Sequence, residues 1–583
     1  MRIFIPGKDS QDPSSTTIIP TIDHAGVLPS LHNAPAYMSQ PGIIALSKSN
    51  HISCSYCGVG DSGNYRLEKK PGNATDSAFS IKNTGPSKGC VKLRHSTMNK
   101  KVAYPIHLAP SVLDPATGLR KAISYQEAID QLASMMLDHM QSNKRSLVYA
   151  SGQIDYFAIF AMQEVFRLLG IRNLTGNAEH CLNAGAVHNE VLTGQEGPFL
   201  TLDQAIQGDN RLYILNGWNG VITHPPAFNQ LKQKPNLDAY IFEVMESESA
   251  LEIAKKLGDE RVVLIKAKGD SLIAMAVAHE IITQHPQAIS SSFIQRFADQ
   301  KSFDHYQTLI KSKTYSAKNV AKKIAAEPQF EARTVNAIMD LARKLADPNI
   351  IPIVMPSVGL SQSSGVVAHC LWGSLLAMVG KFGLDTDSKP LGGVLRLPGQ
   401  INAESEVQGL SRKYFMGRIP MDQSEEAARR MGLPHNAYQD AVNDQPRAAL
   451  DYSDEVAEDE LFLCFGTQFE ANMPNRKRWL KKLTQASNTL VVIDPIPDPW
   501  SLKNAQLIIP SPPHPATPKL YQNGEWRLTL SMPQKKAGKD TRSDATIIYD
   551  VMANITKRLT KDKKLAKQHP MLGQLCKSGY LQE

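Results

Sequence analysis

The chain has 583 residues, enough for several domains with large buried cores. Its 64 Lys and Arg against 56 Asp and Glu leave a formal charge of +8, and no basic arm interleaved with aromatics occurs, which excludes a dedicated nucleic-acid binder. Seven cysteines, three of them clustered, exclude a disulfide scaffold and suit a reducing compartment with one metal site. No apolar run of bilayer length and no signal core in MRIFIPGKDSQDPSSTT is present, so the expected location is cytoplasmic.

In chain order, residues 1–45 are rich in Pro, Ser and Thr and read as an N-terminal extension draped over the surface. Residues 46–105 carry short polar segments, glycines and the clustered cysteines, a small domain organised by metal rather than by a core. Ser124-Tyr125-Gln126-Glu127 has the pattern of a capping box, predicting a helix from there to about Met140. Strand-like runs then alternate with helical patterns: Ser146–Ala150, Arg211–Leu215, Ala239–Glu243 and Val262–Ile265, then Ile350–Val354, Leu461–Phe465 and Thr489–Asp494. Near-continuous apolar, β-branched runs between helices predict an α/β fold with buried parallel strands. The expected units are 106–345 and 346–558, with 420–460 as a surface excursion. Residues 559–583 are expected as a C-terminal tail, its lysine-rich start a solvated helix.

The densest chemistry lies in Cys54-Ser55-Tyr56-Cys57, with Cys90 on a distant loop. Two thiolates separated by two residues can grip one metal or cluster edge, and Cys90 can close the site. Structural zinc is one reading, but zinc modules usually show a second close pair. An iron–sulfur cluster fits the spacing better, either 3Fe-4S on three thiolates or 4Fe-4S with Asp61 as fourth ligand. The harder carboxylate would hold its iron more weakly.

The order Cys-x2-Cys-x3-Asp, a long gap and then Cys90-Val91-Lys92 resembles the amino terminus of the molybdopterin oxidoreductases. These are the bis-molybdopterin guanine dinucleotide (DMSO reductase) family, which includes formate dehydrogenases, nitrate reductases and arsenite oxidase. Further matches follow in the family's order. The resemblance implies that Cys181, ending Asn173–Cys181, is the protein ligand of molybdenum or tungsten, with His180 and Glu179 beside it as candidates for proton handling. It implies that Lys92 lies between cluster and pterin. It also implies cofactor contacts from Gly217-Trp218-Asn219 and His224, from Glu243 with Ser247, and from Asp270, which as a bare sequence feature reads equally as a helix N-cap. In the second half, Gly359, the segment Gly399-Gln400-Ile401-Asn402, and Gly466, Gln468 and Asp494 match pterin- and nucleotide-binding turns. The stretch from His224-Pro225 to Gly524-Glu525-Trp526-Arg527 most resembles the arsenite oxidase large-subunit branch, although Cys181 as a metal ligand departs from it.

The fold so implied is a small iron–sulfur domain plus two interleaved parallel-sheet α/β domains. The implied activity is oxygen-atom or hydride transfer on a small substrate of the formate, nitrate or related oxyanion type, with electrons leaving through the Fe-S cluster to a redox partner subunit. Relatives continue into a β-barrel domain beyond the matched region, so a separate subunit supplying that domain is a further expected partner. The competing expectation is an electron-transfer or scaffold subunit that kept the fold and lost molybdenum; a third is a nucleotide-binding α/β protein with structural zinc.

Overall fold

A computed structural model describes residues 51–60, 62–69, 79–83, 90, 92, 107, 109–141, 146–194, 197, 200–363, 365–386, 389–410, 414–415, 419–443, 460–468, 470, 473, 476–485, 487–512, 517–533 and 537–577. The extension 1–45 and Asp61 lie outside the described residues, as does most of the expected iron–sulfur domain. Of that domain, His51–Ser53, Ser62–Lys69 and Phe79–Asn83 form a three-stranded antiparallel sheet.

Two larger sheets organise the rest. The seven-stranded sheet runs, edge to edge, Arg120–Ala122, Ser111–Leu113, Leu507–Ile509, Thr489–Ile493, Leu461–Phe465, Ser146–Ala150 and Asn173–Gly176. From Leu507–Ile509 onward its strands are parallel, and the first two form an antiparallel hairpin on the edge. The six-stranded sheet runs Val262–Leu264, Asp238–Glu243, Arg211–Asn216, Ile351–Pro356, Pro390–Val394 and Gly383–Leu384, parallel except for the last.

The strands read as unbroken apolar runs because both faces are covered. In Leu461–Phe465, Leu461, Leu463 and Phe465 pack into one core while Phe462 and Cys464 pack into another on the opposite face. In Arg211–Asn216, Leu212 and Ile214 face one core, and Tyr213 and Leu215 face the other. Each such side chain is worth roughly 1.5–3 kcal/mol of burial, and no solvent face remains on which a polar alternation could show. The helix Tyr125–Gln141 begins with the expected capping box: Ser124 N–H donates to Glu127 Oε2 (2.8 Å) and Glu127 N–H donates to Ser124 Oγ (3.2 Å).

Three expectations need correction. The sheets do not divide the chain at 345/346: Ser146–Ala150 pairs with Leu461–Phe465, and Arg211–Asn216 pairs with Ile351–Pro356. Strand pairing is set by which apolar faces meet, not by order along the chain. The segment 559–583 is no simple tail, because Pro570–Lys577 is a helix that buries Met571, Leu572, Leu575 and Cys576 against Asp544–Lys561. The surface excursion at 420–460 buries Met421, Ala427, Ala428, Leu433 and Tyr438 in the same core, its remainder from 444 to 459 lying outside the described residues. Among the described residues no helix is long and apolar enough to cross a membrane.

Candidate functional site

Parallel sheets place their ligand crevices beyond the carboxyl ends of the strands. Here the carboxyl ends of both sheets border one narrow cavity of about 10 Å³, room for about one water molecule. Cys181 enters it from the short helix Ala178–Cys181, which follows Asn173–Gly176 of the seven-stranded sheet. Pro356 and Ser357 enter from the end of Ile351–Pro356, and Arg396, Leu397 and Pro398 from the segment after Pro390–Val394. Burial pushes the Cys181 thiol up, the Gly399 backbone N–H pulls it down, and the Glu406 carboxyl pushes it up again.

The chain then crosses from one sheet to the other through Gly399–Asn402. Asn177 Nδ2 donates to Gln400 Oε1 (2.6 Å), and Asn177 Oδ1 accepts from Gly152 N–H (2.9 Å). Asn402 N–H donates to Gly152 O (2.8 Å), and Asn402 Nδ2 donates to Ile154 O (2.6 Å). Gln400 and Asn402 are thereby fixed on the turn following Ser146–Ala150. Glu406, fully buried, accepts from Ala178 N–H (2.7 Å); a Cβ on Gly176 would lie 1.8 Å from its Oε1, so only glycine lets it in. Burial pushes Glu406 well above the carboxylate range.

A polar wall completes the cavity. Arg396 Nε and Nη2 donate to Glu404 Oε1 (3.0 Å) and Oε2 (2.8 Å), both side chains being buried. Trp526, held at φ +63°, donates from Nε1 to Glu404 Oε2 (3.0 Å). Ser361 Oγ is 3.1 Å from His369 Nε2, and the His369 ring lies 5.2 Å from that of His188. His188 Nδ1 donates to Gly185 O (2.6 Å). Burial pushes His188 down to about 3 and His369 well below its ordinary value, with Arg396 lowering both, so both rings are neutral.

The six-stranded sheet carries a second group. Gly217 and Gly359 pack backbone to backbone, with Gly359 N–H donating to Gly217 O (3.2 Å). Asn219 Nδ2 donates to Glu248 Oε2 (2.6 Å). His224 is buried, accepts from Trp218 Nε1 (3.0 Å) and stands 2.9 Å from Pro398 O through Nε2; burial pushes it down to about 4. Ser247 caps the helix Glu248–Leu257 and donates to Glu243 Oε1 (3.3 Å). Burial pushes Glu243 up to about 7, with Asp270 adding to the rise. Asp270 is the first helical residue of Asp270–Gln284 rather than its cap, which is Gly269.

On the seven-stranded sheet, Gly466 turns at φ +63° and Gln468 Nε2 donates to Ile496 O (3.2 Å). Asp494 Oδ1 accepts from Ile496 N–H (2.6 Å) beside Asp498, Asp544 and Lys519. Burial pushes Asp494 up from 3.8 to about 7. The folded protein thus holds this proton more tightly than the unfolded chain, so the group's contribution to stability is lost as pH rises from about 4 to about 7. Asp494→Asn, which keeps an oxygen for Ile496, should raise the melting temperature above pH 7 and leave it unchanged below pH 4. Equal effects at both ends of a pH series of thermal melts would contradict this.

Cys54, Cys57 and Cys90 are all buried, and the segment holding the first two docks on the cavity's rim: Gly58 N–H donates to Pro398 O (2.8 Å) and Gly524 N–H donates to Gly58 O (2.7 Å). Burial pushes the Cys57 thiol up; the Val59 N–H pulls it down, Cys90 raises it and Lys92 lowers it, which brings Cys90 and Lys92 into its electrostatic reach. Among the described residues, no group of three or more His, Cys, Asp or Glu side chains is assembled to hold a metal ion. Asp61 and the His180 side chain lie outside the described residues, while Glu179 is partly buried and contributes to the field at Glu406.

Sequence reasoning missed Asn216, Arg396, Glu404 and Glu406. Asn216 ends an apolar strand just before Gly217, a legible signal; acidic residues opening a helix, by contrast, read as a solvated first turn.

No protein-family profile matches the chain, and no curated protein sequence matches it. Among solved structures, acetylene hydratase from Pelobacter acetylenicus aligns with a TM-score of 0.62 at 16% sequence identity, over 89% of this chain and 70% of that one. The formyltransferase/hydrolase complex from Methylorubrum extorquens, solved with methylofuran, aligns with a TM-score of 0.41 at 11% identity, over 77% of this chain and 99% of that one. The first likeness shows the fold alone, parallel-sheet α/β domains arranged as in that hydratase; the arsenite oxidase branch finds no support in it.

Proposed function

We propose that this chain is a cytoplasmic molybdenum- or tungsten-dependent bis-molybdopterin guanine dinucleotide enzyme that transfers an oxygen atom or hydride to or from a small substrate. The observation that carries this reading is Cys181 in a cavity bordered by the carboxyl ends of both sheets. The donor set fits a large polar cofactor. Asn216 is fully buried, and neither of its side-chain amide atoms has a hydrogen-bond partner among the described residues; the same holds for Glu406 Oε2. Buried polar groups of this kind cost about 1–3 kcal/mol each unless a ligand satisfies them.

In this reading Cys181 ligates the metal, Gln400 and Asn402 hold pterin, and Gly217, Asn219, His224, Glu243, Ser247, Asp270 and Gly359 serve one dinucleotide. Gly466, Gln468 and Asp494 serve the other. When bound, the metal–pterin group supplies the two-electron chemistry. The chain's own residues orient it and exclude water: Pro356, Leu397 and Pro398 wall the cavity, and Glu179 and His180 are proposed to handle protons. Cys54, Cys57, Cys90 and Asp61 would hold the Fe-S cluster, with Lys92 between it and the pterin, passing electrons to a partner subunit. A second subunit covering the dinucleotides belongs to the same proposal. The hydratase name of the structural neighbour supports a second reading, non-redox addition to a small substrate in the same cavity.

Metal analysis of anaerobically purified protein tests the proposal. About one molybdenum or tungsten per chain with three or four irons is expected. Iron alone would point to the scaffold subunit, and zinc alone would sink both. Cys181→Ala should abolish turnover and leave the iron content unchanged.

A further inference from the structure

One edge of the six-stranded sheet gathers positive charge from two segments that lie far apart in the chain. Its edge strand Val262–Leu264 runs out into Lys266-Ala267-Lys268, and the helix Ala317–Ile324 follows the short turn Lys313–Tyr315. Lys266 N–H donates to Ile324 O (2.7 Å) and Ala326 N–H donates to Leu264 O (3.0 Å), which locks the two segments side by side. Asn319 Nδ2 donates to Lys313 O (2.8 Å), tying the turn to the same helix. Lys266, Lys268, Lys313, Lys318, Lys322 and Lys323 are all exposed, and none of them forms an ion pair among the described residues. Residues 262–269 and 311–326 contain no acidic residue at all. Lys318 and Lys322 stand one helical turn apart, where like charges repel. The helix dipole favours Lys322 and Lys323 in the last turn but leaves their charge facing outward. Lys268 adds backbone strain, because it sits at φ +69°, a left-handed conformation that favours glycine.

The surroundings say which anion fits. The apolar side chains of the helix, Val320 and Ile324, are packed in the core, so no free apolar face is left to enter a lipid surface. No exposed aromatic side chain stands in either segment, so nucleic-acid bases find no stacking platform. Asp270, which the proposed function assigns to a dinucleotide, is buried, whereas all six lysines face solvent. A rigid, purely cationic surface matches a protein face rich in Asp and Glu, where charge gives association rate and orientation.

We propose that Lys266, Lys268, Lys313, Lys318, Lys322 and Lys323 form a docking surface for the acidic face of a partner protein. The proposal stands on these segments alone and does not depend on what occupies the Cys181 cavity.

Immobilised poly-L-glutamate is the probe, and association of the purified full-length holoprotein is read by surface plasmon resonance. Lys318→Gln/Lys322→Gln/Lys323→Gln should slow association about tenfold or more at low ionic strength. Arginine at the same three positions should keep the wild-type rate, which separates loss of charge from loss of fold. Lys477→Gln/Lys481→Gln/Lys503→Gln removes three exposed lysines from the helices Arg476–Leu483 and Pro499–Asn504 and should change the rate little. Wild-type binding should disappear in about 1 M salt, where the screening length is about 3 Å. An equal loss from the Lys477/Lys481/Lys503 variant would reduce the effect to net charge and overturn the proposal. So would absence of wild-type binding, or tighter binding to duplex DNA or to phosphatidylserine vesicles. Molybdenum and tungsten are measured on the same samples: if the glutamine variant loses binding only together with its metal, the lysines serve cofactor retention and the docking surface is refuted.

Discussion

Gly217→Ala should destabilise the protein by about 3 kcal/mol or more, measured by chemical denaturation. Two independent costs add. Gly217 sits at φ +61°, a left-handed conformation that costs an L side chain on the order of 1 kcal/mol. A Cβ there would also lie 2.5 Å from Leu360 N and 2.9 Å from Gly359 Cα. Those are backbone atoms that no rotamer change can move, so the Gly359 turn must shift as a whole, and overpacking of this sort costs about 1–3 kcal/mol. Both turns are tied down, Gly217 N–H to Phe242 O (3.0 Å) and Gly359 N–H to Gly217 O (3.2 Å). Gly118 is the internal control: its φ is +68°, but nothing lies within 4 Å of an added Cβ. Gly118→Ala should therefore show the conformational cost alone. If the two variants lose the same stability, the packing argument for Gly217 is wrong.

The second large effect is expected at the buried ion pair. Glu404→Ala should cost about 3–5 kcal/mol, because it leaves the Arg396 guanidinium buried without its counter-charge. It also removes the acceptor of Trp526 Nε1, the contact that fixes a residue held at φ +63°. Replacing both partners, as in Arg396→Met/Glu404→Leu, should cost much less than the single change, since no uncompensated charge remains. A double-mutant cycle by thermal and denaturant unfolding measures the difference; additive single and double effects would refute coupling. Glu426, which pairs with Arg429 (2.7 Å) and Arg430 (2.7 Å) on the surface, is the contrast: Glu426→Ala should leave stability nearly unchanged.

These two sites illustrate different degrees of legibility. Gly217 could be singled out from the chain alone, because a glycine directly after an apolar strand marks a turn. That the turn meets Gly359, more than a hundred residues on, could not. Cys181 was legible only together with the matches around it, and its cavity is built from segments that the chain order keeps far apart. Glu404 and Glu406 gave no signal. Their pattern, two acids early in the helix Ala403–Gly409, is the ordinary composition of a solvated first turn. Burial turned one into an ion-pair partner and pushed the other, lying over Gly176, well above the usual carboxylate range.

Residue pattern alone was sufficient for the strand runs, the Ser124 capping box and the α/β class, because periodicity and capping are local properties of the chain. It was insufficient for the division into two sheets. Ser146–Ala150 finds its partner in Leu461–Phe465 and Arg211–Asn216 finds its own in Ile351–Pro356, pairings decided by which buried faces match once the helices are packed. The same long-range packing brings both sets of strand ends to one cavity and cancels the charge of Arg396 inside it. Those features depend on contacts between residues distant in sequence, so they came into view only with the folded chain.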